Sequence, residues 1–278
     1  MDEHLDPLTT FAPDLFCGRT ALVTGGGRGI GRAIALAFAR LGADVVIASR
    51  KPENLDPTAE EIRALGRACL ALPTNVREVA EVERLVAAAL ERFPAIDFLV
   101  NNAGGQFPAR PSQISDRGWR AVVDLNLNGT WNLLSRVGPH MLERRSGAIV
   151  NVVHIYSFER GAPGFAHSGA ARAGVVNLTR SLAYYWARHG VRVNALAPGT
   201  IETQGLREEE FRPAEIADYE RLATADVPAG RLGTADEVAA LTVFLCSPAA
   251  RYVNGAALIA DGALSVGNWT PLLDPTVP

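Results

Sequence analysis

Residues 20–31 read Thr20-Ala21-Leu22-Val23-Thr24-Gly25-Gly26-Gly27-Arg28-Gly29-Ile30-Gly31. The apolar run predicts a buried strand, the glycines predict a tight turn, and the apolar spacing that follows predicts a helix. Backbone N–H groups at such a helix start attract an anion, and only glycine lets the chain approach that anion closely. The sequence therefore predicts a nucleotide phosphate site formed by Gly25, Gly27, Arg28, Gly29, Ile30 and Gly31.

Short apolar strands alternate with helical patterns along the chain. Strands are predicted at residues 19–24, 44–48, 68–72, 96–100, 147–153, 191–197 and 256–260. Helices are predicted near residues 29–41, 56–66, 76–92, 115–143, 165–188 and 234–246. This alternation indicates an α/β fold: a doubly wound, seven-stranded parallel sheet of the Rossmann type, with helices on both faces, in a single domain.

We expect the domain to span residues 16–264, with loosely ordered ends at residues 1–15 and 265–278. Residues 202–230 interrupt the alternation with the charged run Arg207-Glu208-Glu209-Glu210. This segment is either a solvated insertion or a mobile lid over a substrate pocket.

The composition argues against several classes of protein. A net charge of −3 and a pI near 6 give no electrostatic basis for nucleic-acid binding. The chain contains no apolar run of membrane-spanning length and starts with an acidic segment unlike a signal peptide. Its three cysteines form no Cys-x-x-Cys pair. We expect a cytoplasmic protein with reduced thiols, no membrane partner and no metal site.

The residues after the second strand indicate which dinucleotide is bound. Ser49 and Arg50 stand where an acidic residue would bond the ribose hydroxyls of NAD. Arginine at this position instead suits the 2′-phosphate of NADP, and Arg28 in the glycine turn is placed to reach the same phosphate. We therefore expect NADPH rather than NADH as the cofactor.

Further cofactor contacts are predicted at the carboxyl ends of later strands, where ligands bind in doubly wound sheets. Asn75 and Val76 are expected to receive the adenine, and the next strand ends in small residues that admit the cofactor close to the backbone. The sixth strand ends in a turn expected to cap the nicotinamide amide. The small residues after the fourth strand are Asn102, Ala103 and Gly104. The turn after the sixth strand contains Pro198, Gly199, Ile201 and Thr203.

These motifs together resemble the short-chain dehydrogenases/reductases. The glycine turn is similar to their Thr-Gly-x-x-x-Gly-x-Gly, residues 101–104 to their Asn-Asn-Ala-Gly, and Pro198-Gly199 to their Pro-Gly turn. Residues 230–233 through Asp261-Gly262 resemble their C-terminal segment. The resemblance covers residues 16–264 and implies an NAD(P)-dependent oxidoreductase that forms a homotetramer or homodimer. Asn75 departs from the aspartate that this family usually carries there.

The catalytic residues of the family are altered in this chain. The resemblance places Asn126 in register with the family's asparagine, but Ser168 stands in place of its tyrosine and Arg172 in place of its lysine. The family's serine position falls at or near His154. A standard alcohol/ketone mechanism is therefore in doubt.

The altered pattern resembles a particular subgroup. Residues 101–107 and 167–175 are similar to those of peroxisomal trans-2-enoyl-CoA reductases and of 2,4-dienoyl-CoA reductases. In the dienoyl enzymes a loop tyrosine works with a helix serine, and Tyr156 and Ser168 occupy those places. The resemblance implies a catalytic set of Asn126, Tyr156, Ser168 and Arg172, with Arg172 also holding the nicotinamide ribose.

Three functions remain open from the sequence. The first is NADPH-dependent reduction of a conjugated enoyl thioester, and the second is reduction of a ketone or 3-oxoacyl substrate by the same fold. The third is a nucleotide-binding protein without catalysis. Structural roles also remain open for five residues: Tyr156 as a packed loop aromatic, Ser168 as a helix cap, Asn126 as a purely structural residue, and His154 and His167 as partly buried, hydrogen-bonded histidines.

Overall fold

Seven parallel strands form the central sheet of this protein. The computed structural model describes residues 6–158, 161, 164–203, 224 and 226–266. The strand order is β3-β2-β1-β4-β5-β6-β9, with all neighbours parallel. The strands are β1 (Thr20–Thr24), β2 (Asp44–Ser49), β3 (Cys69–Pro73), β4 (Phe98–Asn101), β5 (Gly147–Val152), β6 (Val191–Pro198) and β9 (Ala257–Ala260). The predicted doubly wound sheet is thus confirmed.

Helices cover both faces of the sheet. They are α1 (Gly29–Arg40), α2 (Pro52–Ala64), α3 (Val79–Arg92), α4 (Asp116–Val123), α5 (Gly129–Arg144), α6 (Ala166–Trp186) and, as α7, Ala235–Cys246. Successive residues of a strand point to opposite faces of the sheet and pack in two different hydrophobic cores. Val23 and Ile47 pack with α1, α2 and α7, whereas Leu22 and Leu99 pack with α3, α5 and α6. This alternation is why the strands read as continuous apolar runs in the sequence.

Two helical predictions differ from the structure. α2 begins at Pro52 rather than near residue 56, because proline suits the first helical position, and the helix continues through Pro57. The helix predicted over residues 115–143 is divided into α4, a π-helical turn at Asp124–Asn128, and α5. Such turns insert one residue into a helix and often mark functional sites.

The chain ends and the predicted lid are described only in part. Residues 7–10 differ from the expected loosely ordered end, since Pro7–Thr10 form a turn of 3₁₀ helix and Leu8 is buried in the core. Ile201–Glu202 and Gly233–Thr234 pair as the short parallel strands β7 and β8. Residues 204–223 and 225, most of the possible lid, lie outside the described residues, as do residues 267–278.

The sheet order reverses at β1, which pairs with β2 on one side and β4 on the other. Ligands bind doubly wound sheets in the crevice outside the carboxyl ends of the strands at such a point. Because all seven strands are parallel, the segments after β1, β2, β3, β4, β5 and β6 meet at this same edge. Among the described helices, none is long and apolar enough to cross a membrane.

Candidate functional site

The glycine turn after β1 disfavours side chains, at some positions through its backbone angles and at others through lack of space. Gly25 and Gly29 have φ angles of +68° and +52°, which favour glycine. A Cβ at Gly27 would collide with the backbone carbonyl of Asn54. A Cβ at Gly31 would collide with the carbonyl of Gly25. The turn therefore leaves bare backbone at the start of α1, which is the geometry that a pyrophosphate requires.

The end of β4 is tied to the end of β1 beside this turn. Thr24 Oγ1 accepts hydrogen bonds from the backbone N–H groups of Asn102 and Ala103, each at 3.0 Å. Asn102 Nδ2 donates to the Thr24 carbonyl at 3.0 Å. These bonds fix the small residues of the β4 end as the floor of a cleft.

One arm of the cleft runs from the glycine turn toward β2 and β3. It is lined by the glycine turn, by the β2 end with Ser49, Arg50 and Lys51, by Asn75 and Val76, and by Asn102, Ala103 and Gly104. Ser49 Oγ donates to the Lys51 carbonyl at 3.1 Å, which shapes the loop that leads into α2. This arm brings together the residues predicted for the phosphates and the adenosine.

The Asn75 side chain is held by its own loop. Its Oδ1 accepts from the backbone N–H of Arg77 at 3.3 Å and from Arg77 Nε at 3.1 Å. The Asn75 backbone N–H donates to Glu81 Oε2 at 2.7 Å. Val76 is buried beside Gly129, where a Cβ would lie 2.7 Å from Val76 Cγ2. The end of the cleft for which the sequence predicts the adenine therefore has a rigid, partly apolar wall.

The second arm runs over β5 and β6. It is lined by Gln106, His154, Tyr156, Arg172, Pro198, Gly199 and Ile201, among others. Ile30, Asn102, Gly104 and Thr203 line both arms, so that the two form one continuous cleft. Gly199 is packed against Asp261, whose Cβ would lie 2.7 Å from an added Cβ.

A polar network borders the second arm: Gln106, His154 and Arg172 line it, and the fully buried Ser168 connects them from behind. Arg172 Nη1 donates to Ser168 Oγ at 2.5 Å and to Gln106 Oε1 at 3.3 Å. Ser168 Oγ donates to the same Gln106 Oε1 at 2.8 Å. His154 Nε2 lies 3.3 Å from Ser168 Oγ on the other side. Because Ser168 and Arg172 are four residues apart on α6, they share one helix face and meet at one point.

His154 is a neutral side chain in this network. Burial and the nearby Arg172 guanidinium lower its pKa from the usual 6.5 to about 3. Its Nδ1 lies 3.2 Å from Ser157 Oγ, so that both ring nitrogens have a hydroxyl neighbour. At neutral pH His154 therefore acts as a hydrogen-bonding group and not as a proton donor from an imidazolium.

The lowered pKa of His154 predicts a pH effect on stability. Below pH 6.5 the unfolded chain binds a proton at this residue that the folded chain does not bind until about pH 3. The stabilisation is thus complete above pH 6.5 and is lost as the pH falls, by up to about 1.4 kcal/mol per pH unit. His154→Gln should flatten the dependence of the unfolding free energy on pH between 6 and 5, measured by urea denaturation. Exposed His189→Gln is the matched control, and an unchanged slope in His154→Gln would contradict the assignment.

Asn126 holds the loop after β4. It is buried in the π-helical turn, where its Nδ2 donates to the carbonyls of Gly105 and Val122, both at 2.8 Å. Its Oδ1 accepts from the Gly105 N–H at 3.3 Å. Both amide hydrogens are thus engaged with backbone carbonyls, and we propose that Asn126 positions this loop rather than contacting substrate.

The remaining two candidates, Tyr156 and His167, lie in different surroundings. Tyr156 is half-buried in a 3₁₀ turn, lines the second arm, and its ring centroid lies 5.5 Å from that of His154. His167 is fully buried, with its ring edge against Phe107 at a centroid distance of 4.5 Å. Tyr156 is therefore placed to meet a ligand, whereas His167 belongs to the packing between α6 and the β4 loop.

Comparison with known proteins agrees with this geometry. A family profile described as Enoyl-(Acyl carrier protein) reductase matches residues 25–265. The crystal structure of a short chain dehydrogenase from Bacillus anthracis has a TM-score of 0.82 and 35% identity, covering 91% of this chain and 99% of that chain. The chain belongs to the short-chain dehydrogenase/reductase family.

This short-chain dehydrogenase/reductase has named relatives with different substrates. It is 38% identical over 261 residues to the peroxisomal 2,4-dienoyl-CoA reductase of Mus musculus, covering 93% of this chain and 86% of the relative. It is 34% identical over 249 residues to the 3-oxoacyl-acyl-carrier-protein reductase of Thermotoga maritima, covering 90% and 98%. The chain is therefore an oxidoreductase of a family that binds NAD(P).

The cleft fits such a dinucleotide on the evidence of its glycines. The closed turn at Gly27 and Gly31 leaves room for a pyrophosphate but not for side chains. At the other end, a Cβ at Gly104 would lie 2.6 Å from Arg172 Nη2. Arg172 is thus close to the floor of the cleft, where the resemblance places the nicotinamide ribose.

Several residues that line the cleft or contact its side chains were not predicted from the sequence. Asn54, Thr74 and Leu125 line the first arm. Gln106 contacts both Ser168 and Arg172, although the sequence assigned it no role. Its position directly after the small residues at the β4 end is a signal that could have identified it. Asn54 carried no such signal, because only the packing of α2 on the glycine turn brings it there.

Proposed function

We propose that this protein reduces conjugated enoyl thioesters with NADPH. One observation carries the proposal: the Ser168 hydroxyl and the Arg172 guanidinium both donate to a single sp² oxygen, that of Gln106. An enolate oxygen is stabilised by such preorganised donors. The similarity to the mouse 2,4-dienoyl-CoA reductase supports this choice of substrate class.

The residues of the second arm suit the charge that develops in this reaction. NADPH, when bound, supplies a hydride to the β-carbon of the conjugated thioester. The electron pair of the carbon–carbon double bond then moves toward the thioester oxygen, where negative charge collects. Arg172 places positive charge near that oxygen and keeps its own proton, because a guanidinium group does not lose its proton in proteins. Ser168 adds a second donor once its hydroxyl faces the substrate.

A proton must then reach the α-carbon and restore the carbonyl group. Two sources remain: the Tyr156 hydroxyl, which lines the same arm, or an ordered water. Neutral His154 is not such a source, since its pKa of about 3 leaves it without an acidic proton at neutral pH.

Tyr156→Phe distinguishes these two proton sources. If Tyr156 donates the proton, its loss should lower kcat by about 100-fold or more, with little change in KM. The measurement is the steady-state oxidation of NADPH with crotonyl-CoA. Tyr252→Phe is the matched control, because Tyr252 is fully exposed. An unchanged kcat in Tyr156→Phe would assign the proton to water.

The preference for NADPH rests on the charge of the first arm. Arg28, Arg50 and Lys51 line it together with the first turn of α2. A 2′-phosphate bound there would meet up to three cationic side chains and the positive end of a helix dipole.

The single lysine of the chain gives a direct test of this preference. Lys51 is the only lysine, so that acylation of lysine amines reports on this one position. Saturating NADP⁺ should slow its acetylation about tenfold, because the 2′-phosphate covers the ammonium group, whereas NAD⁺ should have little effect. Mass spectrometry measures the rate, with the N-terminal amine as the internal control. Equal protection by NAD⁺ would contradict the NADPH preference.

The substrate panel separates the proposed function from its alternatives. NADPH oxidation is followed with crotonyl-CoA, a longer trans-2-enoyl-CoA, a dienoyl-CoA and acetoacetyl-CoA. Turnover with the conjugated thioesters only is the expected result. Turnover with acetoacetyl-CoA only would favour a 3-oxoacyl reductase, for which the Thermotoga relative is the supporting observation. Binding of NADPH without any turnover would favour a catalytically silent protein.

We also propose that the protein is a homo-oligomer. Trp131 on α5 and Tyr184 and Tyr185 on α6 are 46%, 79% and 72% exposed. Aromatic residues are enriched at interfaces between proteins relative to the rest of the surface. Light scattering coupled to gel filtration should give a mass of two or four chains, and a monomer mass would contradict this proposal.

A further inference from the structure

Gln106 places its amide oxygen where two donors converge. The oxygen lies 2.8 Å from Ser168 Oγ and 3.3 Å from Arg172 Nη1. The reverse orientation would place the amide NH₂ against a guanidinium, which has no acceptor. Arg172 therefore fixes the oxygen of Gln106 in this position.

The proton of Ser168 is committed to this oxygen. Ser168 has one hydroxyl hydrogen, and Gln106 Oε1 can only accept. The hydrogen therefore points to Gln106, and the two lone pairs of Ser168 Oγ face Arg172 Nη1 and His154 Nε2. We assign the proton of neutral His154 to Nε2, with Nδ1 accepting from Ser157 Oγ. With Gln106 in place, the Ser168 hydroxyl has no hydrogen left for a substrate.

The burial of these residues agrees with the hydrogen bonding. Ser168 is fully buried, whereas Gln106 is half-buried and lines the second arm of the cleft. The backbone before Gln106 is held by the paired hydrogen bonds between Gly105 and Asn126. A ligand can therefore reach the Ser168 hydroxyl only after the Gln106 side chain has rotated away from it.

We propose that Gln106 is a specificity-determining residue whose amide oxygen occupies the substrate-oxygen position until a substrate displaces it. The inference rests on the proposed function only in requiring a substrate with a carbonyl oxygen. Such an oxygen must compete with Gln106 for Ser168 and Arg172 before hydride transfer. Because the displacement precedes the chemical step, it weakens binding of substrate and transition state equally.

The test uses two variants of Gln106, one that removes the hydrogen-bond acceptor of its side chain and one that strengthens it. Gln106→Leu keeps a similar volume without an acceptor, and should lower KM for crotonyl-CoA about 3- to 10-fold, the range expected from the loss of competing hydrogen bonds. Gln106→Glu places a carboxylate against Arg172 and should raise KM about tenfold or more. In both variants kcat should stay within about threefold of its original value. Gln113→Leu is the matched control, because Gln113 is exposed.

A binding measurement keeps the inference separate from the proposed function. Calorimetry on the protein saturated with NADP⁺ gives Kd for crotonyl-CoA and for acetoacetyl-CoA without turnover. Tighter binding of either ligand by Gln106→Leu supports the inference even if the unaltered protein fails to reduce crotonyl-CoA, which would contradict only the proposed function. If Gln106→Leu binds neither ligand more tightly, or if KM moves in the same direction in both variants, Gln106 does not compete with substrate.

Discussion

Gly31→Ala is expected to weaken NADPH binding by about 100-fold or more. The added Cβ would collide with the backbone carbonyl of Gly25 and lie 2.5 Å from Asn102 Nδ2. Neither group is free to move, because Asn102 is hydrogen-bonded to Thr24 and the Gly25 N–H donates to Ala48. Since interiors are packed without spare volume, the start of α1 must shift away from β1. The N–H groups at the start of α1 then no longer face the pyrophosphate, and each lost hydrogen bond to a charged group costs about 1.5–3 kcal/mol, so that one or two such losses account for the 100-fold effect.

Titration of NADPH fluorescence measures this loss of affinity, and circular dichroism checks that the variant is folded. Gly161→Ala is the matched control, since its Cβ would have no neighbour within 4 Å. Gly29→Ala gives a graded comparison, because its φ is +52° but the nearest atom to an added Cβ is Thr203 Cβ at 3.6 Å. Its affinity should fall less, by about tenfold, from backbone strain alone. Equal affinity in Gly31→Ala and the unaltered protein would show that the dinucleotide binds elsewhere.

Arg172→Met is expected to lower kcat/KM for an enoyl thioester by about 1,000-fold, which corresponds to about 4 kcal/mol of transition-state stabilisation. Methionine fills part of the same space but removes the hydrogen bonds to Ser168 and Gln106 and the positive charge beside them. Loss of one preorganised donor to an oxyanion costs about 100- to 1,000-fold, and the lost charge adds to this.

Arg172→Lys restores the charge without the forked geometry and should recover part of the activity, about tenfold above Arg172→Met. Stopped-flow measurement of a single turnover separates this effect from product release. Arg251→Met, at an exposed position, is the matched control. A single-turnover rate that is the same in Arg172→Met and the unaltered protein would exclude Arg172 from the chemical step.

The sheet and the first arm of the cleft were predictable because local sequence determines them. Strand β1, the glycine turn and α1 are contiguous in residues 20–40, so that composition and spacing alone define a strand, a turn and a helix. Alternation of such units then determines a parallel sheet, whose carboxyl edge collects the segments after each strand.

The second arm of the cleft was less predictable because it depends on side-chain contacts between distant segments. Gln106 and Ser168 are 62 residues apart, and only the structure shows that they share a hydrogen bond. The π-helical turn was also missed, because residues 115–143 keep a helical pattern through the inserted residue. That turn directs the Asn126 amide to Gly105, a positioning contact that no spacing rule indicates.

A competition between two substrates in one reaction tests directly whether the hydride goes to a conjugated carbon or to a ketone carbon. The protein is given limiting NADPH carrying deuterium at both C4 positions, with equal concentrations of crotonyl-CoA and acetoacetyl-CoA, and the products are identified by mass spectrometry. We expect butyryl-CoA as the main product, with one deuterium at the β-carbon. Deuterated 3-hydroxybutyryl-CoA as the main product would contradict this expectation, because the hydride would then have reached a ketone carbon.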